Sequence, residues 1–193
     1  MKVDRIHVLV HPGFVMYNID KGRSPTLDEP QKTRQQELIK LYKQKVDSLS
    51  ENDVLVIFSP SKTHEYAKDY RGGSEWTEIE DYAKKRLLRR VIRLSNPSWL
   101  TTDAGDESLT TMFGIMQKRG FEFSKTTPCE IWGVSFGSCV RDTALELEHA
   151  GFKNITIPTK STDLFDRNIE IDTLTKILRD SNPQTKVKVE NRR

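Results

Sequence analysis

Five short apolar runs alternate along the chain with segments whose apolar residues recur at helical spacing, and this alternation constrains the fold more than any other feature. Runs that are apolar on both faces belong inside a sheet that helices cover on both sides. Strands that alternate with helices pair in parallel. The sequence therefore predicts an α/β fold of three layers, α/β/α, with a mainly parallel sheet of about five or six strands. The predicted strands are residues 5–10, 53–58, 91–94, 131–134 and 154–158.

The segments between the strands carry apolar residues three and four positions apart, which predicts amphipathic helices. At 193 residues the chain fits a single domain, predicted to span residues 1–182. Residues 183–193 are a charged tail that either frays or forms an edge strand. The helices are expected over residues 31–49, from about 75 to 87, from 106 onwards, over 139–150 and around 172–178.

Charge and hydropathy limit the classes of function. The chain carries 31 basic and 28 acidic residues, a formal net charge of +3, and a basic run at residues 84–90 that falls within a predicted helix. Because no nucleic-acid-binding motif accompanies this run, it is expected to be a solvated helix face and not a nucleic-acid site. No apolar run approaches the roughly 20 residues that span a bilayer, so no membrane segment is predicted.

The cysteine content bears on the cellular compartment. Two cysteines occur, Cys129 and Cys139, and no secretory signal opens the chain. These features predict a cytoplasmic, reducing setting without a structural disulfide. Both sulfurs are therefore expected to be free thiols.

Residues 130–151 combine an apolar strand, a glycine-bearing turn and a helix with Cys139 in its first turn. Gly133 and Gly137 permit a tight turn and close backbone approach. Unpaired N–H groups and peptide dipoles at a helix N-terminus favour negative charge, so a thiolate at Cys139 would be stabilised there. Cys139 is therefore a candidate nucleophile. The alternative is a small buried apolar residue at the start of a helix.

Two histidines follow predicted strands. His11 stands at the carboxyl end of the first strand, and ligand-binding groups of open α/β sheets gather at that edge. It is either a site residue or a turn residue bonded to the backbone. His64 follows the second strand and either faces the same cleft or lies on the surface. His7, inside the first strand, is expected to have a packing role.

Several common chemistries lack their motifs. The glycine patterns of dinucleotide-binding and phosphate-binding loops are absent. Gly133-Val-Ser-Phe-Gly137 fits the serine nucleophile elbow with Ser135 at its centre. However, His149 precedes Asp163, whereas the elbow requires the acid before the histidine. Spacings typical of metal ligands are also missing, so neither a metal nor another cofactor is predicted.

The residues Gly133-Val-Ser-Phe-Gly-Ser-Cys-Val140, with residues 141–144 and 149–158 after them, resemble the isochorismatase-like cysteine hydrolases. The similarity to the family signature, G-V-x-T-D-x-C-V followed by a helix containing T-A, covers about residues 131–163. The family includes isochorismatases, nicotinamidases and carbamoyl-amide hydrolases. The resemblance implies a three-layer α/β fold and, as in the family's amidases, a set of aspartate, lysine and cysteine. Cys139 matches the nucleophile position.

The other positions of that set differ in this chain. His11 stands where the family has its aspartate, and Arg93 stands where it has its lysine. Phe136-Gly137 replaces the Thr-Asp pair, and the D-x-H metal motif of the family is absent from residues 59–64. Arginine stays protonated and can stabilise an oxyanion. A histidine opposite a cysteine is a workable nucleophile–base pair.

These residues lead to one hypothesis and one alternative. The hypothesis is a Cys139–His11 dyad, with Arg93 as charge stabiliser, that hydrolyses a small amide-like or related metabolite. The alternative is a catalytically decayed relative that binds a small ligand or self-associates. The expected partners are a small molecule and further copies of the chain. Predicted oxyanion or binding positions are Ser135, Phe136 and Ser138. Residues expected to border the cleft are His64, Phe14 and Trp99.

Overall fold

The computed structural model describes residues 1–12, 29–60, 73–96, 105–134, 139–159, 162–163 and 171–190. Its strands are β1 (Arg5–Val10), β2 (Asp53–Pro60), β3 (Val91–Asn96), β4 (Cys129–Val134), β5 (Ile155–Pro158), β6 (Thr162–Asp163) and β7 (Lys188–Glu190). Its helices are α1 (Glu29–Asp47), α2 (Gly73–Leu87), α3 (Gly105–Lys118), α4 (Arg141–His149) and α5 (Ile171–Ser181). A 3₁₀ turn, Leu88–Arg90, links α2 to β3.

The strands form one sheet in the order β3-β2-β1-β4-β5-β7, and β6 pairs with the end of β4. Each strand pair in the described residues is parallel. The chain continues from β1 to β2 on one side and from β4 to β5 on the other, so the strand order reverses between β1 and β4. The predicted α/β fold with a parallel sheet is therefore confirmed.

Alternate strand residues pack into two apolar layers. From β1, Val8 packs in the layer formed with α3, α4 and α5, and Leu9 packs in the layer formed with α1 and α2. Helix residues that complete the two layers include Met112, Leu147 and Leu174 in the first and Leu38, Tyr42 and Ile79 in the second. Among the described helices, none is long and apolar enough to cross a membrane.

Strand β4 begins at Cys129, two residues before its predicted start, and therefore includes the buried Glu130. The Glu130 carboxylate is ion-paired with Lys45 Nζ, and its Oε1 lies 3.7 Å from His7 Nδ1. His7 Nε2 lies 3.5 Å from Asp53 Oδ2. Burial raises the pKa of Glu130, but interactions with His7 and Lys45 outweigh burial and hold this pKa at about 2. Lys45 thus compensates the buried charge of Glu130 near the start of β4.

The last strand lies in the segment predicted as a charged tail. Lys188–Glu190 pairs with β5 at the edge of the sheet. The turn before β7 is fixed by the Glu148 carboxylate of α4, which accepts hydrogen bonds from Asn182 Nδ2 at 3.2 Å, Thr185 Oγ1 at 2.7 Å and the backbone N–H of Lys186. The proposed boundary between domain and tail at residue 182 stays a prediction.

Candidate active site

Open α/β sheets bind ligands in a crevice at the carboxyl ends of the strands where the strand order reverses, and in this sheet that position lies between β1 and β4. The last residues paired across it are Val10 of β1 and Gly133 of β4. His11 follows Val10 directly, and Cys139 lies in the helical turn that leads into α4. The two candidate residues therefore come from adjacent strands and from the same edge of the sheet.

Gly133 allows β4 to approach β1 closely at this edge. Its φ of +124° lies in a region that side-chain-bearing residues rarely adopt, and a Cβ there would lie 2.0 Å from the carbonyl oxygen of Val10. Any larger residue at this position must displace backbone. The glycine predicted to permit close backbone approach therefore does so beside the crevice.

His11 is buried, with 2% of its surface exposed. Its φ of +46° is in the left-handed region, and its backbone N–H donates to the Phe58 carbonyl of β2 at 2.9 Å. Burial lowers the pKa of the His11 imidazole from 6.5 to about 4. The imidazole is therefore neutral at neutral pH, which is the form that can accept a proton.

Cys139 is also buried, with 6% of its surface exposed, and packs in the apolar layer that includes Val140 and Ala144. Cys139 and Val140 form a π-helical turn that leads into α4. The Cys139 carbonyl accepts a hydrogen bond from Thr143 Oγ1 at 2.7 Å, which fixes the backbone of this turn.

The second cysteine differs in its surroundings. Cys129, at the other end of β4, is buried, and burial raises its pKa to about 12. A thiol with such a pKa is unreactive at neutral pH. Any ready thiol reactivity of the protein is thus expected to come from Cys139.

The first turn of α4 carries an acidic group that the sequence did not single out. The Asp142 carboxylate is largely buried. Its Oδ1 accepts a hydrogen bond from Arg141 Nε at 2.7 Å and lies 2.6 Å from Arg141 Nη2 in the same ion pair. A carboxylate in the first turn of a helix is stabilised by the positive end of the helix dipole. This general preference is the signal that marks Asp142 in the sequence.

Arg93 lies on β3, where its Nε is 2.8 Å from Oε2 of the buried Glu80 on α2. The ion pair is on the face of the sheet that α1 and α2 cover, because Val91, two residues earlier in β3 and therefore on the same face, packs in that layer. Cys139 packs in the layer on the opposite face. The ion pair with Glu80 already engages the guanidinium, so a role for Arg93 beside Cys139 stays a prediction.

The sequence matches no protein-family model and no curated protein. Solved structures match this chain over nearly their whole length, and three of them illustrate the similarity. They are yeast nicotinamidase (14% identity, TM-score 0.57, covering 97% of this chain and 100% of that one), an isochorismatase-like hydrolase from Alkaliphilus metalliredigens (14%, 0.55, 96% and 94%) and the zinc complex of Pyrococcus horikoshii pyrazinamidase (14%, 0.51, 98% and 99%). The chain has the isochorismatase-like fold.

Within this isochorismatase-like fold, the described residues include His11, Cys139 and Arg93 from the predicted site. In the part of the chain that the structure describes, no group of three or more histidine, cysteine, aspartate or glutamate side chains is arranged to hold a metal ion. The remaining predicted positions lie outside the described residues. They are the oxyanion or binding positions Ser135, Phe136 and Ser138 and the cleft positions His64, Phe14 and Trp99.

Proposed function

We propose that this isochorismatase-like chain is a cysteine hydrolase of small amide-like metabolites, with Cys139 as nucleophile and His11 as base. The observation that supports it is the position of both residues, which follow the paired strands β1 and β4 at the edge where the strand order reverses. Several structural neighbours are named nicotinamidase or pyrazinamidase, which favours a small amide as substrate.

The reaction requires one base that accepts a proton and later returns it. His11 takes the proton of the Cys139 thiol, and the sulfur adds to the amide carbonyl carbon. The C–N bond breaks, and the amine leaves with the proton from His11. Water then gives a proton to His11 and adds to the thioester carbonyl carbon. The C–S bond breaks, the acid is released, and the Cys139 sulfur regains its proton from His11. Burial lowers the pKa of His11 to about 4, so its protonated form readily returns the proton to the amine, whereas the neutral imidazole is a weak base towards the Cys139 thiol.

A second candidate function is ligand binding without catalysis. It is favoured by the low exposure of Cys139, 6%, within an apolar layer, and by the engagement of Arg93 with Glu80. Such a protein would bind a small molecule in the same crevice or associate with further copies of the chain.

Thiol labelling against pH tests the two functions. Iodoacetamide is expected to modify Cys139 rapidly below about pH 8.5, where free thiols react slowly. His11→Asn should slow this labelling about a hundredfold, because the base is lost. Asparagine also tolerates the left-handed backbone of residue 11. The Cys139→Ser variant, which keeps Cys129, is the control and should label negligibly near neutral pH.

Hydrolysis itself is measured as ammonia release from a panel of small amides that includes nicotinamide and pyrazinamide. Activity that disappears in both Cys139→Ser and His11→Asn supports the hydrolase. Slow labelling that does not depend on His11, with no ammonia released, contradicts the hydrolase and favours ligand binding.

Compartment and assembly are further parts of this proposal. Both cysteines are free thiols, which agrees with a reducing compartment such as the cytoplasm. We also expect a homo-oligomer. Light scattering coupled to size-exclusion chromatography measures its mass directly, and a monomer over a wide concentration range would contradict it.

A further inference from the structure

A large groove lies at the edge of the sheet opposite to the candidate active site. One wall is formed by the end of α2 and the turn Leu88–Arg90, and the other by the end of α3 and Phe121. Val91, the first residue of β3, lies at its base, and its volume is about 1180 Å³. This surface, called here the basic groove, is too open and too far from the crevice to belong to it, because parallel strands begin at one edge and end at the other.

The walls of the basic groove carry one sign of charge. Its charged lining side chains are all cationic, Lys84, Arg89, Arg90, Lys118 and Arg119. Arg89 and Lys118 have no ion-pair partner in the described part of the chain. Lys84 lies 3.8 Å from Asp81, and both side chains are about half exposed, so this pair neutralises little of the charge. The groove therefore attracts acidic groups.

Two of these cations are held in place by neutral groups. Arg119 Nη1 donates to the Val91 carbonyl at 2.6 Å, and Arg90 Nη1 donates to the Asp53 carbonyl at 3.1 Å. Carbonyl oxygens order a guanidinium without cancelling its charge. A partner that binds here would not have to order these two side chains, which reduces the entropy cost of binding.

The basic groove also concentrates exposed apolar surface. The large apolar side chains that are exposed in the described residues are Leu88, at 74%, and Met1, at 42%, and both line this groove. Leu88 also has a φ of +52°, a strained conformation for a leucine. Exposure gives Leu88 little packing energy to offset this strain. An exposed leucine in the left-handed conformation that ends α2, with cations on either side, leaves apolar surface available to another molecule.

We infer that the basic groove docks an acidic peptide segment of a partner protein, with an apolar residue of that segment covering Leu88. Charge complementarity selects the acidic residues, and burial of Leu88 and Met1 supplies the apolar contact. A nucleic acid would satisfy the cations but not Leu88, because bases stack on aromatic side chains and Phe121, the aromatic residue of the groove, is 7% exposed.

The test measures binding of fluorescent peptides by anisotropy. The panel contains 12-residue peptides rich in glutamate with leucine or phenylalanine at varied positions, together with copies in which serine replaces the apolar residue. The variants are Leu88→Asn and the double variant Arg89→Glu with Lys118→Glu. The matched control is Lys153→Glu with Lys176→Glu, which changes the same charge at exposed positions outside the groove.

At least one acidic, leucine-bearing peptide is expected to bind the wild type. Its affinity should fall about tenfold when serine replaces the peptide's leucine, and by the same factor for the Leu88→Asn variant. The groove charge variant should lose binding, and the control should keep it. Leu88→Asn should also melt at the same or a higher temperature, because asparagine tolerates this backbone. Thus one substitution should preserve stability and weaken binding.

Three results would overturn the inference. The first is that no acidic peptide binds the wild type more tightly than it binds the groove charge variant. The second is binding that Leu88→Asn leaves unchanged. The third is tighter binding of a single-stranded RNA oligonucleotide than of any peptide, with equal affinity for wild type and Leu88→Asn, which would make the groove a nucleic-acid site.

Discussion

At Gly133 a missing Cβ decides how closely β1 and β4 approach beside the candidate active site. The sequence marks this glycine through the strand-turn-helix pattern, and it likewise marks His11 and Cys139 because both follow apolar runs. The ion pair between Arg93 and Glu80 has no such signal, since it depends on how α2 lies across β3. Single residues at strand ends are therefore predictable, whereas partners brought together by packing are not.

Gly133→Ala is expected to lower the free energy of unfolding by about 3 kcal/mol, because its Cβ meets the Val10 backbone and its φ is unfavourable. The matched control is Gly114→Ala in α3, where a Cβ would have no atom within 4 Å. That change should raise stability by about 1 kcal/mol through helix propensity. Urea unfolding measures both variants. Equal effects of the two substitutions would contradict the close approach of β1 and β4.

At the level of elements, the apolar runs located β1, β2, β3 and β5 well, and the helices agree within a few residues. The sequence does not mark the start of β4, because Glu130 is charged and its partners His7 and Lys45 are distant in the chain. The two-residue β6 has no pattern of its own and is defined by pairing with β4. Local periodicity thus predicts an element unless long-range contacts determine it.

The contact of α4 with the turn before β7 is a testable link between elements. Glu148→Ala removes the acceptor for Asn182, Thr185 and the Lys186 backbone, and should lower the local opening energy of β7 by about 2 kcal/mol. Hydrogen exchange at Val189 reports this opening. The exposed Glu51→Ala variant is the control. Unchanged exchange at Val189 would show that β7 is held by pairing with β5 alone.

For the whole molecule, two buried groups make stability depend on pH in separate windows. His11 has a folded pKa of about 4 against an ordinary 6.5, so the unfolded chain binds more protons between these values. Its effect is a loss of stability as pH falls through that window. Interactions with His7 and Lys45 keep the folded pKa of Glu130 at about 2, despite burial, so its contribution is present above 4.5 and lost as pH falls towards 2.

Between about pH 7 and about pH 4, the His11 effect should lower the free energy of unfolding by about 3 kcal/mol. His11→Asn should remove this loss and keep the loss of stability that protonation of Glu130 causes at lower pH. Glu130→Gln should keep the loss caused by His11 and remove the one at lower pH. It should also lower stability at neutral pH by about 3 kcal/mol, because Lys45 loses its partner. Urea titrations at stepped pH measure the difference curves. A His11→Asn curve parallel to the wild type would contradict the burial of a neutral imidazole.

The position of β1 in the sheet has a consequence for synthesis of the chain. Its two neighbours are β2 and β4, and its pairing with β4 joins Ile6 to Cys129. During translation, β1 therefore leaves the ribosome long before its neighbour β4 has been synthesised. Nascent chains are expected to expose this apolar edge for most of elongation, so the yield of native protein in cells should depend on chaperones that shield it.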